Sequence, residues 1–190
     1  ERGMIAYETE VAQVWPEFAQ GGKSRVTFAQ LLSHQAGLPG FVEPTSFEDQ
    51  FDWDGCCAKL ARQTPAWAPG TASSYHAMTY GWLAGEVVRR VSGRRIGKFV
   101  RDEIAEPLDA DIHIGLPGYL DGRVAEMIAP AHLVDPATLP LPEAARMALT
   151  NPHQNPTAPN MRAWRAAEIP AANVHGSTAA LARMYAALAG

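Results

Sequence analysis

The 190-residue sequence has little cysteine, no excess of positive charge and no apolar stretch long enough to span a bilayer. Its only cysteines, Cys56 and Cys57, are adjacent, and neighbouring cysteines rarely bridge because the bond strains the intervening peptide. The pattern predicts two thiols in a helix, at least one of them buried, with a vicinal redox pair as the alternative. It fits a reducing compartment such as the cytoplasm without establishing one. The first four residues do not resemble a signal peptide.

A net charge of −4 gives no reason to expect nucleic acid or an anionic membrane as a partner. The basic residues between positions 89 and 101 lie among acidic ones, which is typical of a solvated helix face. The histidines are too far apart for metal-ligand spacing; they are His34, His76, His113, His132, His153 and His175. Gly22-Lys23-Ser24 mimics the end of a phosphate loop, but Glu17 occupies the required glycine position. We therefore predict no metal and no other cofactor, and we leave the oligomeric state open.

Helical periodicity and capping signals predict helices throughout the first half of the chain. The capping box Thr27-Phe-Ala-Gln30 begins the first helix, which extends to about Ser33. Further helices are predicted over residues 52–63, 77–91 and 96–104, the last ended by Pro107.

The second half changes in character. Residues 111–115 alternate between polar and apolar side chains, which predicts a short strand. Prolines recur from 117 to 170, so we expect ordered loops, a short helix near residues 143–149, and packing against another part of the protein. A final helix is predicted after a cap at Ser177 or Thr178.

Tyr75 is the principal candidate for chemistry, because it follows a Pro-Gly turn and precedes a long amphipathic helix. A phenol has a pKa near 10, so to act as a base at neutral pH it must lose about three units, roughly 4 kcal/mol of phenolate stabilisation. A neighbouring ammonium group can supply that stabilisation. The alternative is a tyrosine packed at a helix N-terminus with its hydroxyl hydrogen-bonded.

Two segments together resemble the class C β-lactamase-like serine hydrolases, which include related esterases and DD-peptidases. They are Leu31-Leu-Ser-His-Gln-Ala-Gly-Leu-Pro-Gly40 and the run from Trp67-Ala-Pro-Gly-Thr-Ala-Ser-Ser-Tyr75 through Gly93. The resemblance covers nearly the whole chain and implies that Tyr75 is the general base, taking the proton of a serine nucleophile. In that family the nucleophile belongs to a Ser-x-x-Lys motif, which is absent from these residues. The resemblance thus implies an internal piece whose serine and lysine lie upstream of Glu1, and which is inactive alone.

The same resemblance implies the α/β fold of β-lactamases and DD-peptidases, in which helices sandwich an antiparallel sheet beside a largely helical subdomain. We expect residues 1–190 to form a single domain that is mainly α-helical with little strand. The helical subdomain is expected over about residues 20–150, and the return toward the sheet over about residues 150–190.

The tyrosine motif departs from the family pattern. It is commonly Tyr-x-Asn and here reads Tyr75-His76-Ala77. Alanine has no amide to hold a substrate carbonyl, which disfavours β-lactam hydrolysis and favours simple esters. His76 is a candidate substrate-binding residue that fills part of the gap, since an imidazole can donate or accept near neutral pH. The alternative is an exposed histidine at a helix start.

Two other histidines invite a catalytic interpretation. Ser33 and His34 are adjacent, and adjacent helical residues point about 100° apart, so we predict that they are no catalytic pair and that His34 is structural. His175-Gly176-Ser177 resembles the family's late triplet with Lys or His. It immediately precedes a helix rather than lying on a strand, so we predict a helix cap.

The sequence therefore predicts a serine hydrolase of the esterase type, cleaving a small-molecule carboxylic ester through an acyl-enzyme. One alternative is a β-lactamase or DD-peptidase acting on a β-lactam-like substrate. The other is a non-catalytic binding protein on the same fold.

Overall fold

A computed structural model of the chain describes residues 3–190, and this part is mainly helical with little strand, which confirms the expected fold class. The α-helices are Phe28–Leu32 (α1), Trp53–Arg62 (α2), Thr79–Ser92 (α3), Ile96–Val100 (α4), Glu143–Thr150 (α5), Arg162–Ala166 (α6) and Thr178–Ala189 (α7). The strands Ile112–Ile114 (β1) and Val174–Gly176 (β2) pair antiparallel, with His113 opposite His175. Short 3₁₀ turns connect several of these elements. No helix in residues 3–190 is both long enough and apolar enough to cross a membrane.

Local capping chemistry determines where the first helices begin. In the capping box, the Thr27 hydroxyl accepts from the Gln30 amide at 3.2 Å, and the Thr27 amide donates to the Gln30 side chain at 3.0 Å. The Asp52 carboxylate accepts from the Gly55 amide at 3.1 Å and so begins α2. These bonds satisfy amide groups that a helix N-terminus leaves without partners. The helices predicted to begin at Thr27 and over residues 52–63 are confirmed.

The helix predicted over residues 96–104 is regular only in its first part. Arg101–Ala105 forms a π-helical turn, in which the Glu106 amide donates to the Arg101 carbonyl at 2.9 Å. In a regular α-helix the ring of Pro107 would clash with the carbonyl four residues earlier, and the wider turn relieves that conflict.

The core lies where α2 and α3 pack together with the turn Pro16–Gly22. Its largest fully buried apolar side chains are Trp15, Phe18, Leu31, Leu38, Phe41, Leu60, Trp82, Leu83 and Ile169. Glu86 is also fully buried. Burial raises the pKa of its carboxyl group, but hydrogen bonds from Arg89, Arg90 and Trp53 outweigh burial and hold the pKa below its usual value.

The adjacent cysteines are both buried and unbridged on α2, as predicted. Burial raises the pKa of the Cys56 thiol to about 12 and that of the Cys57 thiol further still. A buried thiol with a raised pKa forms little thiolate and is chemically inert. The vicinal redox pair is therefore not supported.

The proline-rich stretch from 117 to 170 packs Ala158, Trp164 and Ile169 into the core and is bonded to the first half of the chain through Asn151. The Asn151 side chain donates to the carbonyls of Phe41 at 2.7 Å and Glu43 at 2.9 Å, and accepts from the Thr45 amide at 3.0 Å. The short helix predicted near residues 143–149 is confirmed as α5, whereas α6 was not predicted.

Candidate active site

Tyr75 lies on the loop that leads into α3, where its side chain is 66% exposed. Its ring stands edge-on to the imidazole of His34, with centroids 5.4 Å apart. The phenol hydroxyl has no hydrogen-bond partner anywhere in the part of the chain that the structure describes. The hydroxyl of this exposed side chain therefore faces solvent and is accessible to a reacting group.

The turn before Tyr75 is fixed by its own hydrogen bonds. The Trp67 indole donates to the Ala72 carbonyl at 2.9 Å, and the Gly70 amide donates to the Gln35 carbonyl at 3.1 Å. Gly70 has a φ of 83°, and a Cβ there would overlap the side chain of Gln30. Glycine is thus required where this turn packs against the segment that follows α1.

The 31–40 segment leaves α1 through a C-terminal motif built on His34. The Gln35 amide donates to the Gln30 carbonyl at 2.8 Å, and the His34 amide to the Leu31 carbonyl at 3.3 Å. His34 has a φ of 61°, in the left-handed region where this motif usually places glycine. His34 therefore lies outside the helix, and the helical geometry assumed for Ser33 and His34 is corrected.

The conclusion drawn from that geometry nevertheless holds. The Ser33 hydroxyl donates to the Ala29 carbonyl at 2.7 Å, while the Nδ1 of His34 accepts from the His76 amide at 3.2 Å. The two side chains are engaged with different partners and do not form a nucleophile–base pair.

His34 is also bonded to the residue before Tyr75. The Ser74 amide donates to the His34 carbonyl at 3.3 Å, so the residues before and after Tyr75 are both bonded to His34. Sequence reasoning assigned His34 a general structural role and missed this contact. A histidine at a helix C-terminus, where glycine is expected, was the signal that could have revealed it.

His76 is fully buried beneath this loop. Its Nε2 accepts from the Leu38 amide at 3.0 Å, and its Nδ1 lies 2.6 Å from the Ser74 carbonyl. Because a carbonyl oxygen only accepts, Nδ1 must carry the proton and the ring is neutral. Burial lowers the pKa of His76 to about 4.

This arrangement corrects the alternative of an exposed histidine, because Leu38 and the rest of the 31–40 segment cover His76. Substrate binding by His76 stays a prediction; in the described residues its ring has no exposed surface and both nitrogens are occupied. Its bonds instead connect the tyrosine loop to the segment after α1.

None of the chain's lysines provides the ammonium group that would activate Tyr75. Lys23 is buried and donates to the backbone carbonyls of Gln20 and Gln63. Lys59 pairs with Asp49 at 2.8 Å, and Lys98 pairs with Asp102 at 2.7 Å. In residues 3–190 no lysine contacts Tyr75, so the ammonium group expected beside it is not supplied by these residues.

His175 lies on β2, which corrects the prediction that it does not belong to a strand. The pairing with β1 was not visible in sequence because the partner residues lie far apart in the chain. Ser177 does cap α7, accepting from the Ala180 amide at 3.1 Å. His175 borders a cleft of about 410 Å³, where its ring meets Trp164 edge-on with centroids 5.9 Å apart.

Comparison with known proteins places this geometry in context. The family model described as Beta-lactamase matches residues 1–190. Over its whole length the chain is 37% identical to the Mycobacterium tuberculosis protein named esterase/beta-lactamase LipL, and it covers 46% of that protein.

Solved structures give the same picture. A family VIII carboxylesterase superposes with a TM-score of 0.90 at 45% identity, over 98% of this chain and 49% of that one. A penicillin-binding protein homolog from Caulobacter crescentus superposes with a TM-score of 0.88 at 47% identity, over the same shares of the two chains. The chain spans about half the length of these relatives.

Proposed function

The chain belongs to the β-lactamase family, and from that premise we propose that it carries the general base of a serine hydrolase that cleaves carboxylic esters. Tyr75 is the proposed base. The serine nucleophile and its lysine are proposed to lie upstream of Glu1, in a part of the protein that this chain does not include. Residues 1–190 alone are then catalytically silent.

The observation that carries the proposal is the state of Tyr75. Its side chain is largely exposed, its hydroxyl has no partner among the described residues, and both neighbouring residues are bonded to His34. A tyrosine held firmly at the backbone, with a free hydroxyl, is what a positioned base requires. The missing ammonium group is what a lysine of an upstream Ser-x-x-Lys would supply.

The proposed reaction proceeds in two steps. The Tyr75 phenolate takes the proton of the serine hydroxyl as the serine oxygen attacks the ester carbonyl carbon. Tyr75 then returns the proton to the departing alcohol, and the acyl group remains on the serine. The same phenolate then takes a proton from water as the water oxygen attacks the acyl-enzyme, and Tyr75 returns this proton to the departing serine oxygen, which releases the carboxylic acid and restores both the serine and the phenolate.

Ala77 supports esters over β-lactams as the substrate class. It stands two residues after Tyr75, where the related β-lactamases commonly have an asparagine, and its methyl group can form no hydrogen bond with a substrate amide. A simple ester has no amide group and needs fewer hydrogen bonds of this kind. The family VIII carboxylesterase among the similar structures agrees with this choice, whereas the name of LipL covers both activities.

The test uses the longest natural form of the protein, with p-nitrophenyl butyrate as substrate. Removing a general base typically lowers kcat by about a hundredfold to ten-thousandfold, and we expect a loss of that size for Tyr75→Phe. The matched control is Tyr185→Phe, which removes the hydroxyl of a tyrosine on α7 that is 65% exposed. Full activity in Tyr75→Phe would contradict the assignment.

A parallel assay with nitrocefin, a chromogenic cephalosporin, separates the alternatives. We expect turnover of the ester to exceed turnover of the β-lactam. The reverse order would favour a β-lactamase, and binding of either compound without turnover would favour a non-catalytic binding protein.

A further inference from the structure

We propose that His34 is a positioning residue for Tyr75. It accepts hydrogen bonds from the amides of the residues before and after the tyrosine and so fixes where the tyrosine hydroxyl lies. This inference rests on the proposed function for its catalytic consequence, but its structural part can be tested without activity. The sequence predicts only a structural role for His34, and the inference makes that role specific.

The backbone of His34 is the first reason to look for a role in the side chain. Its φ of 61° lies in the left-handed region, where a residue with a Cβ is less favourable than glycine, although histidine and asparagine are among those better tolerated there. Glycine would end α1 with the same hydrogen bonds and without strain. A strained residue persists where the surrounding structure holds it, and such positions cluster at functional sites.

Two backbone amides donate hydrogen bonds to His34. The His34 carbonyl accepts from the Ser74 amide at 3.3 Å, and its Nδ1 accepts from the His76 amide at 3.2 Å. These bonds lie on either side of Tyr75. Because the Tyr75 hydroxyl has no partner among residues 3–190, the location of this side chain depends on its backbone and on the ring of His34 beside it.

His76 adds further hydrogen bonds between the tyrosine loop and the segment after α1. Its Nδ1 donates to the Ser74 carbonyl, and its Nε2 accepts from the Leu38 amide. The Thr79 hydroxyl donates to the Leu38 carbonyl at 2.6 Å. The loop at 74–76 is therefore joined to the 34–38 segment through His34, His76 and Leu38, and we call this set of bonds the histidine clamp.

The clamp requires both imidazoles to be neutral. The Nδ1 of His34 and the Nε2 of His76 each accept a backbone amide, and protonation would place two donors face to face. Burial lowers the pKa of both residues. The other titratable groups against these rings are the phenols of Tyr75 and Tyr80, whose centroids lie 5.4 and 4.7 Å from that of His34.

Two substitutions distinguish the effect of the His34 side-chain hydrogen bond from the effect of its backbone conformation. His34→Gly keeps the left-handed conformation and removes the imidazole acceptor. His34→Asn also tolerates that conformation, and its amide oxygen lies close to the place of Nδ1. If His34 served only to end α1, the two variants would behave alike. The clamp predicts instead that His34→Gly loses protection of the His76 amide and that His34→Asn retains it.

The first measurement is amide hydrogen exchange of residues 74–76, followed by NMR in the longest natural form of the protein. We expect exchange of the His76 amide to accelerate by at least about tenfold in His34→Gly and to stay near the parental rate in His34→Asn. Tyr185→Phe serves as the control and should leave this amide unchanged. Equal protection of the His76 amide in His34→Gly and the parent would overturn the clamp.

The second measurement is p-nitrophenyl butyrate hydrolysis by the longest natural form. Misplacing a catalytic group by a small distance costs up to about a hundredfold, so we expect His34→Gly to lower kcat by about tenfold to a hundredfold. KM should change little, and His34→Asn should recover most of the loss. Accelerated exchange with an unchanged kcat in His34→Gly would overturn the positioning role.

The two assays also separate this inference from the proposed function. If Tyr75→Phe keeps full activity, the proposed base is wrong, yet the exchange measurement still decides whether His34 holds the loop. If Tyr75→Phe is inactive and His34→Gly is unaffected in both assays, the base stands and the clamp is wrong.

Discussion

Mild acid should destabilise this protein through His76. The residue is fully buried and its ring must be neutral to accept the Leu38 amide. Its pKa is about 4 in the folded chain against 6.5 when unfolded. Between these values the unfolded chain binds a proton that the folded chain does not, so stability falls as the pH falls through this window.

The size of the effect follows from the pKa difference. Each pKa unit corresponds to about 1.4 kcal/mol, so the full contribution is on the order of 3 kcal/mol, complete above the unfolded value and lost as the pH approaches the folded one. Between about pH 7 and about pH 5 the expected loss is about 2 kcal/mol in the free energy of unfolding.

Urea unfolding at several pH values measures this contribution when the parent is compared with His76→Gln, whose amide can donate and accept but does not titrate. We expect the variant to lose about 2 kcal/mol less than the parent between about pH 7 and about pH 5. His153→Gln, a change at an exposed histidine, should keep the parental slope. If the free energy of unfolding of His76→Gln depended on pH as steeply as that of the parent, the reasoning would be refuted. The other titrating groups, including His34 and His175, are present in both proteins.

Three further predictions concern stability and are checked by the same urea measurements. Thr27→Ala removes half of the capping box with Gln30 and should cost about 1 kcal/mol, while an unchanged midpoint would show that the cap contributes nothing. Gly40→Ala places a Cβ against the Met147 carbonyl and should cost about 1–3 kcal/mol, whereas a neutral result would mean that α5 shifts freely. Burial lowers the pKa of Lys23 to about 8, below its unfolded value of 10.5, so Lys23 contributes about 3 kcal/mol of stability that appears as the pH climbs between these values. The buried thiols act in the opposite direction but are present in both proteins, so the free energy of unfolding of the parent should gain about 3 kcal/mol relative to Lys23→Met over this range, and an unchanged difference would contradict the assignment.

Much of the helical architecture could be predicted because residues close together in the sequence determine where the helices begin and end. The capping box at Thr27, the Asp52 cap and Gly93, with its φ of 70°, are short-range features that tertiary contacts did not override. The strand β1 was also visible from its alternation. Its partner β2 was not, because a three-residue strand has no pattern of its own and forms only where the fold brings the segments together.

The flanking residues single out Tyr75 as a candidate, but they do not reveal how the residues around it are arranged. The burial of His76 depends on the 31–40 segment packing over it. His34 adopts a conformation that sequence rules reserve for glycine, so its contact with the loop could not be read from the motif. Long-range contacts of this kind are invisible to local periodicity.

The central claim is that Tyr75 activates a serine that lies outside these residues. The most direct measurement is labelling of the longest natural form with a serine-directed fluorophosphonate, followed by identification of the modified serine by mass spectrometry. The account predicts one label, on the serine of an upstream Ser-x-x-Lys, forming much more slowly in Tyr75→Phe, and no label in residues 1–190 alone. A label on a serine within these residues, or labelling that Tyr75→Phe leaves unchanged, would contradict it.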